Sequence, residues 1–346
     1  VKPLRVIVTG AGSIVGQGIV KALRMSSLPV HVIATDIGPL NAALFRADEG
    51  HLMVPVESSD ALERIIAQLK QLKADALMIG SEFDLAFFAL HKQDIERETG
   101  TLIVVSSPET VDLADDKFLT AEFLRNNGLA YAPAANVGSI DQACDWATQR
   151  GYPLILKTRR GTSSRHVHII ADETALREIF PSVPLPMVQE LAGPVHPNLA
   201  NEYTCSIFRC ADGTLQGPFV SRRTLRGGSS WLVEVAPRPE ANDLMLRLGH
   251  LLPIMGSLNV QMMIHGGRAI PFELNARFSG TTPIRAHFGF NEPEMTLRSY
   301  LLGETVPESE IGCGTVIRYV EEIFLDGFEA KNLTEPFPRG TIRTWF

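Results

Sequence analysis

Short apolar runs alternate with amphipathic stretches through the first third of the chain, at residues 4–8, 18–25, 30–34, 62–72, 76–79 and 102–105. Runs that are apolar at every position predict buried parallel strands, because helices cover both faces of such a sheet. The stretches between them carry the helical period, and this βαβ rhythm predicts a doubly wound parallel sheet ending near Leu113. A helix at residues 116–126 is stopped by Asn127-Gly128, and a smaller unit follows it. That unit reads as a helix at 140–150, a strand at 154–157, a polar loop at 159–165, a strand at 167–171, a helix at 173–180 and a strand at 187–191.

From residue 202 the pattern becomes antiparallel. Strands at 203–210, 217–224 and 231–235 read as a meander, a helix at 241–255 follows, and strands at 257–265 and 269–275 are joined at Gly266-Gly267. No internal repeat is visible. The expected division is 1–112 for the parallel sheet, 113–188 for the smaller unit, 189–303 for the antiparallel unit and 304–346 for a strand-rich tail.

Composition narrows the class. The 346 residues suffice for two or three domains, and 45% hydrophobic with 21% charged residues describes a globular chain, which excludes disordered and fibrous classes. Thirty-two Lys and Arg against 39 Asp and Glu give a net charge of −7, which argues against a broad nucleic-acid footprint. No apolar run approaches the roughly 18 residues of a membrane span, and the chain enters its first strand without a secretory pattern, so a cytoplasmic location is expected. The four cysteines form no C-x-x-C set, so neither a zinc site nor a disulfide framework is expected. The nine histidines form no H-E-x-x-H, and G-x-S-x-G is absent.

Thr9-Gly10-Ala11-Gly12-Ser13-Ile14-Val15-Gly16 lies between a strand and a helix, where backbone amides can face an anion, and Asp36 closes the second strand. This resembles a dinucleotide fingerprint, but the third glycine falls one place late and no tyrosine has a lysine four residues on. Two readings stay open: an NAD(P) site of an oxidoreductase, or glycines that permit tight strand-to-helix packing.

The second half carries a more specific set. Lys117 opens a helix after Asp115-Asp116, and Lys157 ends an apolar strand just before the polar loop, so both could neutralise polyphosphate. Glu273 and Asn275 are two apart on a strand and share a face, with Gln261 on the preceding strand. Such hard oxygen donors suit Mg²⁺, which takes the rest of its shell from water and phosphates. Arg277 projects the same way and could hold a transferring phosphoryl group.

Asp116-Lys117, Tyr152-Pro153-Leu154-Ile155-Leu156-Lys157, Val188-Gln189-Glu190-Leu191, Glu202-Tyr203-Thr204, Asn259-Val260-Gln261 and Phe272-Glu273-Leu274-Asn275-Ala276-Arg277 occur in that order. In this the chain resembles ATP-grasp proteins, most of all the carbamoyl phosphate synthase large-chain type, over residues 1 to about 303. The resemblance implies a Rossmann-like parallel sheet followed by a two-lobed ATP-grasp fold, α/β and α+β, in which 113–188 is a small lid and 189–303 the catalytic lobe. It implies ATP-phosphate contacts from Lys117 and Lys157, an adenine hinge at Glu190 and Leu191, and a ribose acid at Glu202. It also implies metal ligands at Gln261, Glu273 and Asn275 and an arginine near the γ-phosphate at Arg277, with ATP and Mg²⁺ as cofactors and Mn²⁺ as a substitute.

Two features depart from that pattern. The loop Arg159-Arg160-Gly161-Thr162-Ser163-Ser164-Arg165 has three arginines and one glycine where the family is usually rich in glycine and serine, and the stretch 193–201 is longer than usual. A complete carbamoyl phosphate synthase large chain has two such halves, and this chain has room for one. The resemblance therefore implies a stand-alone ligase that joins a small-molecule carboxylate to an amine, as a homodimer in many members. The alternatives are the oxidoreductase and a non-catalytic ATP-binding subunit. Substrate contacts are expected from Gly12, Ser13, Glu82, Arg222, Arg223, Thr281 and Arg285, the arginines suiting a carboxylate and Glu82 an amine.

Overall fold

The computed structural model describes residues 2–161, 166–196 and 199–342. Its first unit runs β1 (Leu4–Thr9), α1 (Ile14–Arg24), β2 (Val30–Asp36), β3 (Glu49–Leu52), α2 (Ala61–Leu72), β4 (Ala76–Ile79), α3 (Leu85–Thr99), β5 (Leu102–Val104) and α4 (Pro108–Asp115). The strands form a parallel sheet in the order β3-β2-β1-β4-β5. Val6 and Val8 pack into one core and Ile7 and Ile33 into another on the opposite face. Burial of both faces is why these strands read as unbroken apolar runs. Strand β3 escaped that pattern because Glu-Gly-His-Leu at a sheet edge is only partly buried. Helix α1 begins four residues before its predicted start, since Ser13 caps it by accepting from the Gly16 amide at 2.9 Å.

Helix α5 (Lys117–Asn126) leads to the lid: β6 (Ala134–Asn136), α6 (Ile140–Arg150), β7 (Leu154–Thr158), β8 (Val167–Ile170), α7 (Glu173–Ile179) and β9 (Pro186–Glu190). Its four strands lie in the order β6-β9-β7-β8, all antiparallel. Leu154, Leu156, Ile170 and Val188 pack with Ala143, Ala147 and Leu176 of its two helices.

The largest sheet is built from β10 (Glu202–Arg209), β11 (Leu215–Arg226), β12 (Ser229–Val235), β13 (Gly256–His265), β14 (Arg268–Asn275) and β15 (Gly314–Ile317). Helix α8 (Pro239–Leu251) precedes β13, and α9 (Thr282–His287) and α10 (Glu292–Thr296) follow β14. The order is β14-β13-β10-β11-β12-β15, so the meander holds for β10 to β12 and β13 then returns beside β10. Gly266 and Gly267 both take positive φ, 56° and 72°, as a two-residue hairpin turn demands. The tail adds β15 to the free edge of β12, and Phe337 then packs into the core of the first unit. Among the described residues no helix is long and apolar enough to cross a membrane.

The glycines of the first loop have an observed packing task. Gly10 has φ +49°, a Cβ on Gly16 would sit 2.4 Å from the Gly10 carbonyl oxygen, and one on Gly80 would sit 2.6 Å from the Gly16 Cα. The loop and the end of β4 therefore meet backbone to backbone.

Candidate functional site

Two cavities share one wall. The first, about 310 Å³, lies between lid and large sheet and is lined by Lys117, Lys157, Glu190, Leu191, Glu202, Gln261 and Glu273. Ile155, Val167, Ile169, Met263 and Phe272 give it flat apolar sides. The second, about 380 Å³, lies between the large sheet and the first unit and is lined by Ser13, Ser81, Glu82, Arg223, Arg277 and Thr281. Gln261 and Glu273 belong to both.

On the nucleotide-sized side, the buried Asp116 caps α5 by accepting from the amides of Phe118 and Leu119, and it pairs with Arg159 at 2.5 Å. That arrangement fixes Lys117 at the first helical position, with Nζ 2.7 Å from the Gly161 carbonyl oxygen of the lid loop. Lys157 is buried at the end of β7. Burial foremost, and then the neighbouring Lys117, push its pKa down to about 7, while Glu273 opposes the shift. Residues 162–165 of the expected phosphate loop and residues 197 and 198 of the long stretch lie outside the described residues. The Glu190 carboxylate turns outward to Arg150 at 2.9 Å. That leaves backbone groups at the hinge to face the cavity.

A chain of polar side chains runs along the shared wall. Arg223 donates from Nε and Nη2 to Glu202 Oε1 at 3.0 and 2.8 Å, and from Nη2 to Gln261 Oε1 at 2.7 Å. Gln261 Nε2 donates to Glu273 Oε1 at 3.0 Å, and Asn275 Nδ2 donates to the same oxygen at 2.9 Å. Gln261 stands opposite Glu273 in the β13–β14 ladder, next to an irregularity before Met262 that re-aims the strand.

Among the described residues no three His, Cys, Asp or Glu side chains gather as a metal group. The donor set here is one carboxylate, Glu273, with the amides of Gln261 and Asn275. It fits an oxygen-preferring ion that completes its shell from phosphates and water. The Gln261 carbonyl oxygen is engaged by Arg223, which leaves Glu273, with Asn275 bonded to it but in the lining of neither cavity, to supply the remaining oxygens.

Three expected substrate residues are placed elsewhere. Arg222 faces away from both cavities and pairs with Glu234 at 2.6 Å, because its neighbour Arg223 occupies the cavity face of β11 and adjacent strand residues point oppositely. Arg285 is wholly buried against Glu292 at 3.0 Å and Asn259 at 2.5 Å, inside a network with Ser206 and Ser257, and lines neither cavity itself. Gly12 lines neither of the two shared cavities, and its amide donates to Asp36 at 2.8 Å. Arg277 lies in the second cavity, pairing with Glu82 at 2.8 Å, and is absent from the lining of the first. Sequence reasoning missed Arg318, which lines the second cavity from the tail, where no motif surrounds it.

No family model matches the chain. Among known sequences it is 23% identical over 250 residues to the carbamoyl phosphate synthase large chain of Gemmatimonas aurantiaca, covering 69% of this chain and 22% of that one. It is 23% identical over 310 residues to the large chain of Halobacterium salinarum, covering 80% and 28%. The chain thus spans about a quarter of the length of the curated relatives it matches. Among solved structures it superposes on N5-carboxyaminoimidazole synthetase of Staphylococcus aureus in complex with ADP, with TM-score 0.73, 15% identity and coverage of 98% and 92%. It also superposes on the biotin carboxylase domain of the 2-oxoglutarate carboxylase of Hydrogenobacter thermophilus, held with MgADP, ADP and bicarbonate, with TM-score 0.72, 16% identity and coverage of 91% and 74%. The chain has the ATP-grasp fold and is similar, over most of its length, to carbamoyl phosphate synthase large chains.

Proposed function

We propose that the chain is an ADP-forming ligase that binds ATP in the first cavity and a small carboxylic acid in the second, and joins that acid to an amine. The observation that carries this reading is the shared wall: Gln261 and Glu273 border both cavities, with the buried Lys157 on one side and Arg277 on the other. A nucleotide whose base lies against Ile155 and Phe272 has its phosphates toward Lys117 and Lys157. Its terminal phosphate then faces the neighbouring cavity.

Mg²⁺, when bound, supplies charge neutralisation at the phosphate oxygens, with Glu273 and Asn275 to hold it; Mn²⁺, with the same taste for hard oxygens, is expected to substitute. Lys117 and Lys157 orient the phosphates, and Arg277, held in place by Glu82, faces the reacting carboxylate. A carboxylate oxygen attacks the γ-phosphorus and the bridging oxygen leaves with ADP, giving an acyl phosphate. The amine nitrogen then attacks the acyl carbon, phosphate leaves with the bonding pair, and the nitrogen loses a proton. Preorganised cationic contacts of this kind are each worth about 10²- to 10³-fold in rate.

Thermal unfolding with Mg²⁺-ATP, ADP, NADH and NADPH in turn tests the reading, since a ligand at about 100 times its Kd stabilises by roughly 2.7 kcal/mol. A Mg²⁺-dependent shift with ATP supports it; a shift with NADPH alone would return the glycine-rich loop to first place. An acid-dependent ADP release that Glu273→Gln and Lys157→Ala each remove separates a ligase from a non-catalytic nucleotide-binding subunit. A homodimer is the expected assembly, and light scattering checks it.

A further inference from the structure

The second cavity is bordered by three arginines, and two of them are already paired. Arg223 is bound to Glu202 and Arg277 to Glu82. Arg318 has no carboxylate within ion-pair distance among the described residues. Its one side-chain hydrogen bond there runs from Nη2 to the Gly280 carbonyl oxygen at 2.7 Å. A guanidinium carries five N–H donors, so most of this fork is free to receive a ligand. Its backbone is fixed as well: the Arg318 amide donates to the Trp231 carbonyl at 2.9 Å, continuing the β12–β15 ladder by one residue. The nearby tail carboxylate, Glu321, is engaged by Tyr319 Oη at 2.5 Å. Burial lowers the pKa of Arg318, and among the described residues no anion offsets that burial.

Position gives this free cation its meaning. Strands β14 and β15 are opposite edges of the six-stranded sheet, yet residues from both reach this one cavity of about 380 Å³. Glu273 enters the cavity from β14, whereas Arg318 enters from the end of β15, where Gly280 lies against Ile14 at the start of α1. The carboxylate that reacts must sit at the wall shared with the nucleotide cavity. An anion held by Arg318 sits at the other end.

We propose that Arg318 anchors a second anionic group of the acid substrate, so that the acid taken by this cavity is a small dicarboxylate or an acidic amino acid. The inference rests on the ligase reading above and makes the tail part of the substrate site. A planar fork meeting a carboxylate supplies two parallel charge-assisted bonds, and a lysine at this position reproduces the charge without the geometry. The hydroxyls of Ser13, Ser81, Ser230 and Thr281 line the space between and suit a polar acid.

The test is calorimetric titration of succinate, glutarate and glutamate, with butyrate as the monocarboxylate reference. Each is titrated into the Mg²⁺-saturated protein carrying a non-hydrolysable ATP analogue. The wild type is expected to bind at least one of the three diacids more tightly than butyrate. In Arg318→Gln that preference falls by about ten- to a hundredfold, the worth of a charged hydrogen-bonded pair, while Arg318→Lys keeps part of it. The thermal shift given by the nucleotide analogue alone is expected to be unchanged in both variants, which also verifies that they fold. Equal binding of diacids and butyrate by the wild type, no binding of any diacid, or an unchanged preference in Arg318→Gln overturns the proposal and leaves the nucleotide assignment standing. Absence of the nucleotide shift in the wild type removes the ligase reading itself, and this inference with it.

Discussion

Arg277 and Glu82 tie the first unit to the large sheet, with Nη2 of the arginine 2.8 Å from Oε2 of the glutamate across 195 residues of sequence. A second bond, from Arg277 Nη1 to the Phe278 carbonyl oxygen at 2.8 Å, leaves the guanidinium little freedom. In the proposed reaction Glu82 acts through Arg277. It sets the arginine's direction in the second cavity while the first cavity stays intact.

Glu82→Gln is therefore expected to lower turnover by about tenfold or more, whereas Arg277→Ala, which deletes the cation, loses about 10²- to 10³-fold. Nucleotide affinity should stay within about twofold in both variants, because neither residue borders the first cavity. Steady-state ADP release together with calorimetric nucleotide binding checks this. A large loss of ATP affinity in Glu82→Gln would place Arg277 on the nucleotide side after all.

Lys157 gives a pH signature. Its folded-state pKa of about 7 lies below the ordinary 10.5, chiefly through burial and then through Lys117. Between these two values the unfolded chain holds a proton that the folded chain has released, so this group's contribution to stability rises with pH across that window. Below pH 7 the cost of burying the charge is fully present. Bound phosphates favour the protonated form, so nucleotide binding at pH 8 is expected to take up close to one proton, and little at pH 6. Titration calorimetry in buffers of different ionisation enthalpy measures that uptake, and Lys157→Arg, charged at both pH values, should abolish it.

The buried pair Arg285–Glu292 predicts a loss of stability and nothing else. Both side chains are fully buried, and Glu292 also accepts from Ser206 and Ser257. Removing the carboxylate in Glu292→Ala strands a charge in the core, which costs about 3–5 kcal/mol. Urea unfolding reads that loss. ADP release per folded molecule, measured well below the transition, should match the wild type, because Arg285 borders neither cavity.

How much of this was readable in the sequence follows from what each signal measures. The parallel sheet showed itself because Val6, Ile7, Val8 and Ile33 are buried whichever face they occupy, and a short run without polar interruption fits best where both faces are covered. The shared wall was legible too, since Gln261 and Glu273 stand opposite each other on adjacent strands and local spacing fixes their face. Arg222, Arg223 and Arg285 were harder. Chain position says an arginine is near the junction, but a one-residue difference in strand direction and a burial partner seven residues on decide whether it meets substrate or core. Arg318 was beyond reach, because its place in the cavity depends on β15 pairing with β12 and on contact with Gly280, 38 residues away.

The first loop offers a prediction that separates backbone conformation from close approach. Gly10 combines a positive φ of +49° with a tight neighbour, since a Cβ there would lie 2.5 Å from the Ser81 Cβ and 2.9 Å from the Ser81 amide nitrogen. Gly100, which closes α3, has φ +71°, and a Cβ added there would meet nothing within 4 Å. Gly100→Ala therefore carries the left-handed penalty alone, about 1–2 kcal/mol. Gly10→Ala carries the same penalty and must also displace Ser81, which borders the second cavity. It is expected to lose at least about 2 kcal/mol more than Gly100→Ala in urea unfolding, and to disturb acid binding through Ser81 and its neighbour Glu82. Equal losses in the two variants would mean that the loop needs glycine only for its dihedral angle, and the backbone-to-backbone packing of Gly10 against the end of β4 would then have no energetic weight.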